Sequence, residues 1–162
     1  MTYIGIDSGT KTGFAVWDGE RFLEVATLRL WEALDRVRRL REQGVEITVV
    51  CEDARKRKYL PREKNVSEYR GRLMGAGSVK RDAVIWQEFC EDNGITCIMQ
   101  APARGLTKWS AEVFADVTGW KGRTSNHARD AALLVYGRRQ NDTKLIISTW
   151  VMSGTMWFIY VK

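Results

Sequence analysis

Tyr3-Ile4-Gly5-Ile6-Asp7-Ser8-Gly9-Thr10-Lys11-Thr12-Gly13 decides how the rest of the chain reads. A short β-rich apolar run delivers one carboxylate, Asp7, into a glycine-bracketed turn, and Phe14-Ala15-Val16-Trp17 runs back as a second strand. Burying an unpaired carboxylate at the end of a central strand costs several kcal/mol, so a cation or metal is expected to match it. The Asp-x-Gly-Thr pattern fits two chemistries. One is a backbone cradle for a nucleotide phosphate; the other is the first metal-binding acid of a nuclease.

A chain of 162 residues fits about one domain. Its single copy of the glycine-turn motif counts against the phosphate cradle, because the sugar kinase and actin superfamily resembles a duplicated pair of such domains with the ligand between them. The formal charge is +6 and the pI about 9.4, which favours a polyanionic partner. Residues 53–82 hold ten Lys or Arg against four acids, so this segment alone has a net charge equal to that of the whole chain. Cys51, Cys90 and Cys97 show neither CxxC spacing nor even pairing, so they read as small core residues in a reduced, intracellular setting. The N-terminus enters directly into a strand, leaving no space for a signal peptide, and the expected compartment is the cytoplasm.

Residues 2–6, 12–17 and 21–28 read as three successive strands. Gly9 and Gly13 punctuate the first connection and Asp18-Gly19 marks the second. Leu30, Ala33, Leu34, Val37 and Leu40 fall at helical spacing, with Gly44 as the stop. Val45 to Cys51 is the next strand and ends at Glu52-Asp53. A crossover through that helix places it parallel to the first strand, so Asp7 and Glu52 share one sheet edge. Residues 54–67 read as a basic loop broken at Pro61, and Ser67 as the cap of a long helix from about Glu68 to Asn93. Residues 95–99 form a fifth strand, and Thr107 to Val117 a helix. Ser125 caps a last helix from Asn126 to about Arg138, whose apolar stripe of Ala131, Leu134 and Val135 runs back onto His127 and Asp130. The expected architecture is α/β: a mixed sheet of three antiparallel strands followed by parallel ones, with helices on both faces, over residues 1–140.

Residues 141–162 form a tail. Leu145 to Val161 is an uncharged run of 17 residues with Ser153-Gly154 at its middle. It reads as a hairpin or core-covering strand, with an interfacial or membrane segment and a non-native tail as the alternatives. No membrane association is expected of the remainder.

Ile4-Gly5-Ile6-Asp7-Ser8-Gly9, Val50-Cys51-Glu52-Asp53, Tyr69-Arg70-Gly71, Ala101-Pro102 with Thr107-Lys108, and Asn126-His127-Ala128-Arg129-Asp130-Ala131 come in the order and at the separations of a known pattern. Together they resemble the RuvC-type Holliday-junction resolvases of the ribonuclease H-like superfamily, over residues 3 to about 137. The resemblance implies that Asp7, Glu52 and Asp130 are metal-binding carboxylates. His127 matches a position that is His in some members and Asp in others, and Lys108 and Lys121 match basic residues that approach the scissile backbone. Ser8 stands where Pro is frequent, and Arg55 where bacterial members carry a base-stacking aromatic, with Tyr59 the nearest substitute. The short stretch between Lys121 and His127 is similar to resolvases of phage or prophage origin.

Phosphodiester hydrolysis needs a nucleophilic hydroxide and a stabilised leaving oxyanion, which two Mg²⁺ or Mn²⁺ ions supply through hard oxygen ligands. The expected catalytic and metal-binding set is Asp7, Glu52, His127 and Asp130. The expected nucleic-acid contacts are Arg55, Lys56, Arg57, Lys58, Tyr59, Arg62, Lys64, Arg70, Arg72, Lys80, Lys108 and Lys121. The expected partner is branched DNA, cut by a homodimer whose interface includes the small-residue run Gly71–Gly77. A YqgF-like nuclease acting on structured RNA, a non-catalytic junction binder and a phosphate-cradling ATPase are the alternatives.

Overall fold

A continuous apolar run, buried on both faces, carries β1 (Thr2–Asp7) through the middle of a five-stranded sheet, with its four inner residues buried. β2 (Thr12–Trp17) pairs antiparallel on one side of it and β3 (Phe22–Leu28) pairs antiparallel with β2. β4 (Ile47–Glu52) and β5 (Thr96–Gln100) extend the other side in parallel. The strand order β3-β2-β1-β4-β5 is that expected for a ribonuclease H-like sheet. The computed structural model describes residues 1–57, 66–102 and 108–139, without the side chains of residues 66–69 and 72. The tail at 141–162 lies outside the described residues.

Helices cover both faces. α1 (Leu30–Glu42) and α2 (Val66–Asp92) bring Ala33, Val37, Trp86 and Cys90 against Ile4, Ile6, Phe14, Val49 and Cys51. α3 (Ala111–Thr118) and α4 (Asn126–Leu133) bring Phe114, Ala128, Ala131 and Ala132 against Tyr3, Ala15, Trp17 and Val50. A register shift between Val16 and Trp17 lets Phe22 and Val25, three residues apart, both turn toward that second core. Among the described residues no helix is long and apolar enough to cross a membrane.

Several boundaries differ from the sequence-based expectation. Gly13 is not turn punctuation; it pairs with Asp7 in the β1–β2 ladder. Its lack of a side chain serves α4 instead. A Cβ on Gly13 would overlap the carbonyl oxygen of His127, and one on Gly5 would overlap that of Ala131. The two glycines therefore let α4 settle directly on the backbone of β1 and β2. Ser67 lies inside α2 rather than capping it. α4 stops at Leu133 instead of near Arg138, because the chain tightens through Leu134 to Gly137, which sits at φ +77°.

Among the described side chains of α2 the buried ones, Ala83, Trp86 and Cys90, belong to its later part. Further toward its start, Leu73 and Met74 are exposed, and a Cβ on Gly71, Gly75 or Gly77 would meet open space.

Candidate metal and phosphate site

The register that pairs Ile6 with Cys51 sets Asp7 and Glu52 side by side at the carboxyl ends of β1 and β4. That edge is where open α/β sheets bind ligands. α4 supplies the third carboxylate. Ser125 accepts the backbone N–H of Ala128 and fixes the helix start, so His127 and Asp130, one turn apart, face the strand ends. Asp7, Glu52, His127 and Asp130 line one cleft of about 320 Å³ together with Arg57, Gln100, Pro102 and Lys108.

Two contacts balance the acids. His127 Nδ1 and Asp7 Oδ2 share a hydrogen bond of 2.8 Å, which leaves Nε2 of the ring for water, substrate or an ion. Lys108 Nζ donates to Asp130 Oδ2 at 2.8 Å. Lys108 thereby joins the site from the connection between β5 and α3, and its charge is held above the ordinary ammonium range by that hydrogen bond. Burial raises the Asp7 carboxyl above its usual range; the hydrogen bond and charge of His127 oppose the rise, and the charge of Asp130 adds to it. Burial likewise raises Glu52, with the charge of Asp7 second, while Arg57 pulls it back down. Asp7 and Glu52, each raised chiefly by burial, stand with Asp130 in one oxygen-rich donor set suited to a hard divalent cation. As they stand, no three His, Cys, Asp or Glu side chains among the described residues form a ready metal-ligand group.

Beneath the cleft Arg129 fixes the pieces that carry these groups. It is buried, and its guanidinium donates to the backbone oxygens of Trp109 at 2.9 Å and Thr124 at 3.0 Å and to the side chain of Asn126. The segment bearing Lys108 is thus tied to the helix bearing Asp130. Nothing in its sequence position distinguished Arg129 from a surface arginine. Gln100 was equally silent, becoming a wall residue because β5 runs parallel beside β4, and Pro102, quoted in the sequence only as part of a motif, lines the wall with it.

The basic residues separate into groups. Arg57 is exposed and lines the cleft. Arg55 is held in a two-pronged contact by buried Asp53, with Nε at 2.8 Å and Nη2 at 2.9 Å, and also reaches Gln87. Lys56 Nζ donates to the Met99 carbonyl at 2.6 Å. Both therefore brace the end of β4 against β5 and α2, a scaffold role the charge count did not reveal. Arg70 and Lys80 are exposed on α2, and Lys121 is exposed between α3 and α4, outside the cleft wall. Trp120, which the sequence sets beside Lys121 in a glycine-rich loop, packs partly buried against the second core rather than standing out as a base platform. Lys58, Tyr59, Arg62 and Lys64 lie outside the described residues, as does the side chain of Arg72.

No protein-family model matches the chain, and no curated protein matches it.

Proposed function

We propose that the chain is a divalent-metal-dependent endonuclease that hydrolyses phosphodiester bonds in branched DNA, resolving four-way junctions by paired nicks from a two-fold dimer. The observation that carries this reading is the meeting of Asp7, Glu52 and Asp130, from β1, β4 and α4, in one cleft rimmed by Arg57 and Lys108. The resemblance to RuvC-type resolvases supports it, since Asp7, Glu52, Lys108, His127 and Asp130, five of the residues it singles out, line that one cleft.

In this reading Asp7, Glu52 and Asp130 would hold Mg²⁺ or Mn²⁺, in a two-ion site, which when bound supplies a nucleophilic hydroxide and neutralises phosphate charge. His127, turned by its bond to Asp7, presents Nε2 either as a ligand or as the group that orients the attacking water. Lys108 and Arg57 hold the scissile phosphate as cations at the cleft rim.

The Lys108–Asp130 pair also suits a non-catalytic junction binder, in which the acids are matched by the protein's own cations. Incubating the chain with a labelled four-way junction, linear duplex and structured RNA, with Mg²⁺, with Mn²⁺ and with EDTA, separates the readings. The proposal expects metal-dependent nicks in the junction. Metal-independent binding without nicks favours the binder, and nicks confined to RNA favour a YqgF-like activity.

A further inference from the structure

A second groove opens on the β3 side of His127. It has a volume of about 760 Å³, within the range of pockets that take nucleotide-sized groups, and His127 is the wall it shares with the carboxylate cleft. Lys11 reaches it from the β1–β2 connection, Arg29 from the end of β3, and Asn126 from the first turn of α4. Both cations are exposed.

Local hydrogen bonds determine what the groove offers a ligand. Thr27 Oγ1 and Ser125 Oγ meet at 2.5 Å, pinning the start of α4 to the end of β3 and fixing the floor. Asn126 gives its Oδ1 to Arg129, so its amide NH₂ is the end left for a ligand. The acid in the wall, Glu32, accepts the backbone N–H of Arg29 at 2.8 Å and is thereby turned into the first turn of α1. Lys11, Arg29 and the Asn126 amide face the groove against the single carboxylate of Glu32, and such cations and N–H donors are the chemistry that recognises phosphate oxygens.

We propose that this groove binds the phosphodiester backbone of the nucleic-acid strand next to the reacting phosphate, with Lys11 and Arg29 as the phosphate contacts and Asn126 as a donor. The inference rests on the nuclease reading and extends it. Arg57 and Lys108 hold the strand on the β4–β5 side of His127, and Lys11 and Arg29 hold it on the β3 side. The strand therefore crosses the carboxylates with a fixed direction. These contacts read backbone rather than base, so they set position without sequence preference.

The test is a salt series of binding by fluorescence anisotropy, with a labelled four-way junction and a labelled single strand, in EDTA so that nothing is cut. Wild type is compared with Lys11→Ala/Arg29→Ala, and with a control, Arg21→Ala/Arg41→Ala, that removes two charges at the opposite end of the strands. Thermal melting of each variant confirms its fold. The groove variant is expected to bind more weakly and to lose about 1.4 from the slope of log affinity against log salt on single strands, and about 1.8 on duplex arms. The control should keep the wild-type slope. Retained binding with an unchanged slope in the groove variant, or an equal loss in the control, overturns the groove and leaves the nuclease reading standing. Absence of nucleic-acid binding by wild type overturns both.

Discussion

A Cβ on Gly13 would run into the carbonyl oxygen of His127, so the seating of α4 depends on a residue in β2. Gly13→Ala forces α4 off the sheet, since the obstructing atom is backbone and cannot rotate away. The expected cost is about 1–3 kcal/mol or more. It should appear as a lower melting temperature and as loss of any metal-dependent cleavage, because His127 moves relative to Asp7. Gly5→Ala, beneath Ala131, should behave alike. A melting temperature equal to wild type would show that α4 is not so closely seated.

The glycines of α2 should respond in the opposite sense. Gly71, Gly75 and Gly77 face open space, and alanine in a helix interior is favoured over glycine by up to about 1 kcal/mol. Gly71→Ala/Gly75→Ala, one turn apart on the same side of α2, is expected to melt higher than wild type. If this face serves as the dimer surface, the same variant shifts the sedimentation profile toward monomer. A lower melting temperature would mean that the face is already covered.

Glu52 sets a pH dependence. Its carboxyl is raised by burial and by Asp7, so it favours the folded state most below the ordinary glutamate value of 4.5, and that contribution is lost as pH rises through the folded value. In metal-free buffer Glu52→Gln should therefore match wild type near pH 4 and melt higher at pH 7, with Mg²⁺ narrowing the difference. Asp53 behaves inversely. Its carboxyl is held below the usual range by the Arg55 hydrogen bonds, so its contribution is present above the ordinary aspartate value of 3.8 and is lost as pH falls through its folded value. Asp53→Asn should lower stability at pH 7 and change little in strong acid. Melting curves from pH 3 to 8 check both signs.

Lys108 occupies an oxygen of Asp130 that a metal ion would take. Lys108→Met is expected to bind Mn²⁺ more tightly than wild type by calorimetry, while losing cleavage. Weaker Mn²⁺ binding would assign Lys108 to holding the site together rather than to phosphate.

What was legible in the sequence was what strand ends, helix stripes and caps place by themselves; what was hidden depended on which atoms meet in the fold. Asp7 and Glu52 stood out because acids ending apolar strands are rarely incidental, and the crossover rule placed their strands together. His127 and Asp130 followed from the stripe of α4 and its Ser125 cap. The roles of Gly5 and Gly13 were hidden because the atoms that exclude a Cβ come from residues over a hundred positions later. Arg55 looked like one of ten equivalent cations until Asp53, two residues before it, was found holding it in place. Arg129, quoted only as part of the last-helix motif, gave no sign of its bracing role, since two of its four acceptors are backbone carbonyls that any sequence would possess. The early end of α4 was readable in retrospect, from Gly137.

Cleavage of a labelled synthetic four-way junction by wild type and by Asp7→Asn, with Mg²⁺ or Mn²⁺, tests the central claim most directly. The account predicts paired nicks from wild type and none from Asp7→Asn, which still binds the junction. Junction binding without cleavage by wild type in either metal, or equal cleavage by the variant, would contradict it.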